Sequence, residues 1–75
     1  MSELESNKLE FAIFCIENVA EALGLPGDVV YRKFAVESDI LVNYIFKHFD
    51  ILHTQGSEWV RDELLSVMKR KGVDA

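Results

Sequence analysis

The stretch Ser38-Asp39-Ile40-Leu41-Val42-Asn43-Tyr44-Ile45-Phe46-Lys47-His48-Phe49-Asp50-Ile51-Leu52-His53-Thr54 restricts the fold more than any other part of the chain. Laid out at about 100° per residue, Asp39, Asn43, Lys47 and Asp50 fall in one narrow polar stripe. Leu41, Ile45, His48 and Leu52 line the opposite face, with Ile40, Tyr44 and Ile51 on one flank and Val42, Phe46 and Phe49 on the other. A helix that is apolar over most of its circumference must be covered on several sides, by the rest of its own chain or by another. The remaining segments are therefore expected to gather around this helix, which Ser38 is placed to cap.

There is little chain to do the covering. Seventy-five residues make one domain, 1–75, and a domain of that size buries only about 60% of the surface its unfolded form exposes. The single Cys15 cannot form an intramolecular disulfide, which suits a reducing compartment. With 49% hydrophobic residues, the remaining routes to stability are dense helix packing or association, so a homo-oligomer or a small protein partner is expected. Thirteen acids against eight bases give a net charge of −5, which opposes binding to nucleic acid and to anionic membranes. The basic run Lys69-Arg70-Lys71 falls where the last turn of a helix would place it, offsetting the exposed carbonyl end. The opening residues Met1-Ser2-Glu3-Leu4-Glu5 are acidic where a secretory signal is basic, and no apolar run approaches the roughly 20 residues that span a bilayer. A cytoplasmic location is the expectation.

Punctuation along the chain predicts four helices, at 5–23, 27–36, 39–53 and 57–71, in a small all-α domain without strands. Gly24 and Pro26 end the first, whose acids Glu3, Glu10, Glu17 and Glu21 share one side. Leu9, Ala12, Ile13, Ile16, Val19, Ala20 and Leu23 face the other way, and a second apolar strip of Phe11, Phe14, Cys15 and Ala22 is left over. Pro26 and Asp28 open the second helix, in which Val30, Tyr31 and Phe34 cluster. Thr54 or Ser57 is placed to cap the fourth, Gly72 ends it, and Val60, Leu64, Val67 and Met68 form its apolar face.

Residues with chemistry to offer are few. His48, Asp50 and His53 are metal-ligand types, but five residues on a helix put the two imidazoles about 140° apart, so they do not converge. His48 reads instead as a hydrogen-bonded core or interface residue, and His53 as part of a helix stop. Cys15 lies in mid-helix between Phe14 and Ile16 with no lone base nearby, as a buried small hydrophobe does. No glycine loop cradles a phosphate, and nothing points to a catalytic residue, a cofactor or a metal. A helix-turn-helix reading of 28–49 is the alternative, although Asp39, Ile40, Leu41 and Val42 stand where a recognition helix needs Arg, Lys, Asn or Gln. Trp59 is either a partner contact or folded back over Tyr44 or Phe46.

Lys8-Leu9-Glu10-Phe11, Phe14-Cys15-Ile16-Glu17-Asn18, Gly24-Leu25, Val30-Tyr31, Ser38-Asp39-Ile40-Leu41, Tyr44-Ile45 and Asp50-Ile51-Leu52-His53-Thr54-Gln55-Gly56 together carry a resemblance. The chain resembles, over nearly its whole length, a family of short bacterial proteins catalogued only as a domain of unknown function. The resemblance implies a small helical bacterial protein and no activity. Members look like companions of neighbouring small genes, some similar to ADP-ribosyltransferase-type toxins, so an antitoxin-like or adaptor role is the analogy. Members tend to carry Pro where this chain has Lys47, which implies a bend or break in the central helix near Phe46 to His48. The function expected is a non-enzymatic protein–protein interaction module, with Phe11, Phe14, Tyr44, Phe46, His53, Gln55 and Trp59 as candidate contacts.

Overall fold

In the computed structural model, which describes residues 3–73, every regular element is helical. Helix α1 spans Glu3–Leu23, α2 spans Gly27–Ala35, a π-helical segment spans Leu41–Phe46, α3 is the short turn Phe49–Leu52, and α4 spans Ser57–Arg70. The all-α expectation holds for these residues, but the count of four helices does not. The single helix expected over 39–53 is two pieces separated at Lys47 and His48. The break falls near Phe46 to His48, where the resemblance implied a bend.

The ends of α1 and α4 share one device. Gly24 and Gly72 both take the left-handed conformation, φ 68° and 69°. The residue after each glycine then donates back across the last turn, Leu25 N–H to the Ala20 carbonyl at 3.0 Å and Val73 N–H to the Met68 carbonyl at 2.9 Å. This closure needs a positive φ that only glycine adopts at no steric cost, and it turns Leu25 and Val73 back against the core. Pro26, extended at φ −63° and ψ 149°, precedes α2 and accepts the Val30 N–H through its carbonyl. Ser38 bridges α2 and the π-helical segment: its Oγ donates to the Lys33 carbonyl at 2.6 Å and accepts the Ile40 N–H at 3.3 Å. One hydroxyl thereby serves one helix end and one helix start.

The centre of the molecule is α1 and not the segment after Ser38. Helix α1 packs against α2, against α4 and against the π-helical segment. It does so through Ala12, Cys15, Val19 and Ala20, all buried, whose small side chains let neighbouring backbones come close. The expected face was turned too far: Leu9 and Ile13 are exposed, while Cys15 from the leftover strip sits in the core. Tyr31 likewise points outward, leaving Val30 and Phe34 as the buried residues of α2. The expected apolar face of α4 is buried as predicted, by Val60, Leu64, Val67 and Met68. Asn18, which interrupts the apolar strip of α1, donates from Nδ2 to the Ser57 carbonyl at 2.8 Å and ties α1 to the start of α4.

The π-helical turn has an effect that unfolding can measure. Pro in the interior of a regular helix costs about 3 kcal/mol. Lys47 has φ −64°, a proline value, and its N–H reaches the Tyr44 carbonyl only as the segment ends. Lys47→Pro is expected to cost about 1 kcal/mol, the worth of that single bond, in urea unfolding. A loss of about 3 kcal/mol would mean that the chain runs as one continuous helix through this point.

Candidate interaction surface

Three of the candidate contacts meet in one aromatic run. Phe49, buried at the start of α3, receives Phe11 edge-on at 5.6 Å between ring centroids and His53 face-on at 4.4 Å and 10°. Phe14 extends the run on α1, its ring 6.0 Å from that of Phe11. Spacings of three on α1 and four on α3 set these neighbours on one side of each element. His53 is fixed twice, because its Nδ1 lies 2.6 Å from the Phe49 carbonyl. A carbonyl only accepts, so Nδ1 carries the proton in this contact.

Tyr44 belongs to a different group. Half-buried, it donates its hydroxyl to Glu63 Oε1 at 2.8 Å, and Arg70 Nη2 donates to the same oxygen at 3.4 Å. Burial, reinforced by the Glu63 acceptor, pushes the phenol up to about 12. His48 packs edge-on against Tyr44 at 5.1 Å. His48 is thus a half-buried neighbour of Tyr44. At the other end of the π-helical segment, Lys71 Nζ meets Asp39 Oδ1 at 2.8 Å, and Lys71 with Asn43 holds the Asp39 carboxyl below its ordinary range.

Phe46 is half-buried and packed on the core. Trp59 is 46% exposed, and among the described residues no ring pairs with it, neither Tyr44 nor Phe46. Gln55 is exposed and donates from Nε2 to Thr54 Oγ1 at 3.3 Å. Thr54 itself is no cap for α4: Gly56 holds that position, with no side chain serving the first turn. The Thr54 hydroxyl instead donates to the Ile51 carbonyl at 2.7 Å, closing the end of α3. It lies two residues ahead of the capping position, beyond reach of the α4 amides it was expected to serve.

The chemistry of the remaining groups is quiet. Cys15 is buried, and burial pushes its thiol up to about 12, far from a thiolate at neutral pH. Among the described residues no group of three His, Cys, Asp or Glu side chains could hold a metal ion, and His48 and His53 lie against different rings. Among the described residues no helix is long and apolar enough to cross a membrane. Sequence reasoning missed the exposed apolar residues Ile13, Val42 and Ile51, each more than half exposed. The i, i+4 pair Phe49 and His53 was a signal that could have placed the aromatic run.

Thermal shift and thiol labelling separate these roles. His53→Ala removes a stacked ring and its bond to Phe49, and is expected to cost about 1 kcal/mol, lowering the melting temperature by about 4–8 °C. Thr54→Ala, at an exposed turn, is expected to stay within about 0.5 kcal/mol. A thermal-shift series in which Thr54→Ala is the more damaging of the two would restore the capping role. Cys15, in turn, is expected to resist DTNB in the native protein and to react fully in guanidinium; rapid native labelling would contradict its burial.

No characterised protein and no solved structure matches the chain. A family model described as "Protein of unknown function (DUF3791)" matches residues 10–71, which include α2, the π-helical segment, α3, α4 and all but the first turns of α1. The chain belongs to that family.

Proposed function

We propose that this protein is a non-enzymatic interaction module, a small helical domain that presents aromatic and apolar surface to another protein. The observation that carries the reading is the aromatic run, whose buried member Phe49 stacks directly on the outward His53 and backs the outward Phe14 through Phe11. Rigid rings at a surface lose little conformational freedom on binding, which is what a contact residue requires. Trp59 adds a large exposed ring on α4, and Gln55 sits in the turn beside His53. Tyr44 and Phe46 act from beneath, positioning the segment between α2 and α4.

The process it serves is proposed by analogy: a bacterial, cytoplasmic companion of a neighbouring gene product, of antitoxin or adaptor type. The partner is a second copy or a small protein. Burying exposed apolar surface at roughly 25 cal/mol per Å² stabilises a chain this short more readily than any internal change.

Sedimentation at micromolar concentration tests the self-associating form. A dimer or larger is expected, with a melting temperature that rises with protein concentration. A monomer throughout, together with retarded DNA in a low-salt gel shift, would replace the module with a DNA-binding regulator.

A further inference from the structure

Beyond the general reading as an interaction module, on which this inference rests, one face of α1 carries the chemistry of its own partner. Along its outward side run Glu10, Ile13, Phe14 and Glu17, so an apolar pair is bracketed by a carboxylate one turn before and one turn after. Ile13 is 56% and Phe14 40% exposed. Phe14 is backed by Phe11, and Phe11 by the buried Phe49, so the ring is an anchor already held in place. Among the described residues the ion pairs join Arg61 to Asp62, Arg70 to Glu63 and Lys71 to Asp39, and neither Glu10 nor Glu17 is in one. An apolar centre with a charged rim is how small protein interfaces are built.

We propose that this face docks a basic amphipathic helix from a different protein. Its apolar side chains cover Ile13 and Phe14, and Lys or Arg residues on its flanks meet Glu10 and Glu17. The two carboxylates stand about 10 Å apart along the axis, at 1.5 Å per residue, so bases two turns apart on an aligned helix reach both. A second copy offers the same acids and would set four carboxylates against one another, so the charge selects an unlike partner.

The test uses the intact protein and a synthetic amphipathic helix of Leu and Lys about 18 residues long, with two comparison peptides. One has Glu in place of Lys; the other has the Leu and Lys order scrambled so that no apolar face forms. Titration calorimetry is expected to show micromolar binding of the Leu–Lys helix alone. Ile13→Ser with Phe14→Ser is expected to weaken it at least tenfold. Glu10→Gln with Glu17→Gln is expected to weaken it similarly and to flatten its salt dependence. Equal binding of the scrambled peptide, or a Ser double variant that melts normally and binds like wild type, would show general attraction to an acidic protein and overturn the proposal. So would failure of the Leu–Lys helix to bind. If self-association then survives the Ser substitutions, the module acts through another surface; a chain that neither binds the helix nor self-associates removes both readings.

Discussion

Ile40 and Ile45 are both completely buried, and they stand five residues apart. On a regular α-helix that spacing separates two side chains by about 140°, so one of them would face away from the core. The π-helical turn between Leu41 and Phe46 is the backbone's solution, since widening the turn brings residues five apart toward the same side. Much of the C-terminal half depends on it. The widened segment presents Tyr44 to Glu63 on α4, and its approach is tied by Asp39 to Lys71 at the far end of α4. Its exit at Lys47 and His48 re-aims the chain so that Phe49 and Leu52 turn inward. Phe49 then meets Phe11, and the aromatic run on α1 gains its buried support.

The same turn settles how so apolar a segment is accommodated in so short a chain. A straight helix from Ser38 to Thr54 would need cover on several sides at once. Breaking it into a π-helical piece and a single α-turn lets each piece bury a different face, Ile40 and Ile45 in one and Phe49 and Leu52 in the other. The large apolar residues left outside are Val42 and Ile51, with Asn43, Lys47 and Asp50 of the polar stripe between them in sequence. Helix α1 takes the central place instead because Ala12, Cys15, Val19 and Ala20 are small enough to let α2 and α4 pack close.

Where a local rule decides the outcome, the sequence was readable. Gly24, Pro26 and Gly72 mark helix ends because φ and the missing proline N–H are properties of those residues alone, and the helix limits fell within about two residues. The apolar face of α4 was readable because one continuous stripe leaves no choice of side. Helix α1 has two apolar strips, and choosing between Ile13 and Cys15 depends on the size of the neighbours rather than on hydropathy. The π-helical turn was hidden for a related reason: residues of one apolar type surround Ile40 and Ile45, so a 100° wheel is satisfied by a register that the core does not use. At Thr54 two carbonyl and amide systems compete for one hydroxyl, and the nearer helix end wins. Of the candidate contacts, the sequence could name the rings but not group them; Phe49, which joins Phe11, Phe14 and His53, reads from the wheel as one more core residue.

Why rings are placed at the surface at all is then a question of position. Phe11 and Phe14 are three residues apart on α1, and only one of them lies deep enough to touch Phe49. Phe14 is only partly covered: it is 40% exposed and its ring neighbour is the half-buried Phe11. A leucine or glutamate there would hold the helix as well, because straight-chain residues favour helices more than aromatic ones do. That same separation between what the core uses and what it leaves recurs along α1, where Cys15 and Val19 face inward while Ile13 and Phe14 face out between two carboxylates. Helix α1, packed by α2, α4 and the π-helical segment, still leaves Ile13 and Phe14 outside, and under the proposed reading it is a partner that covers them.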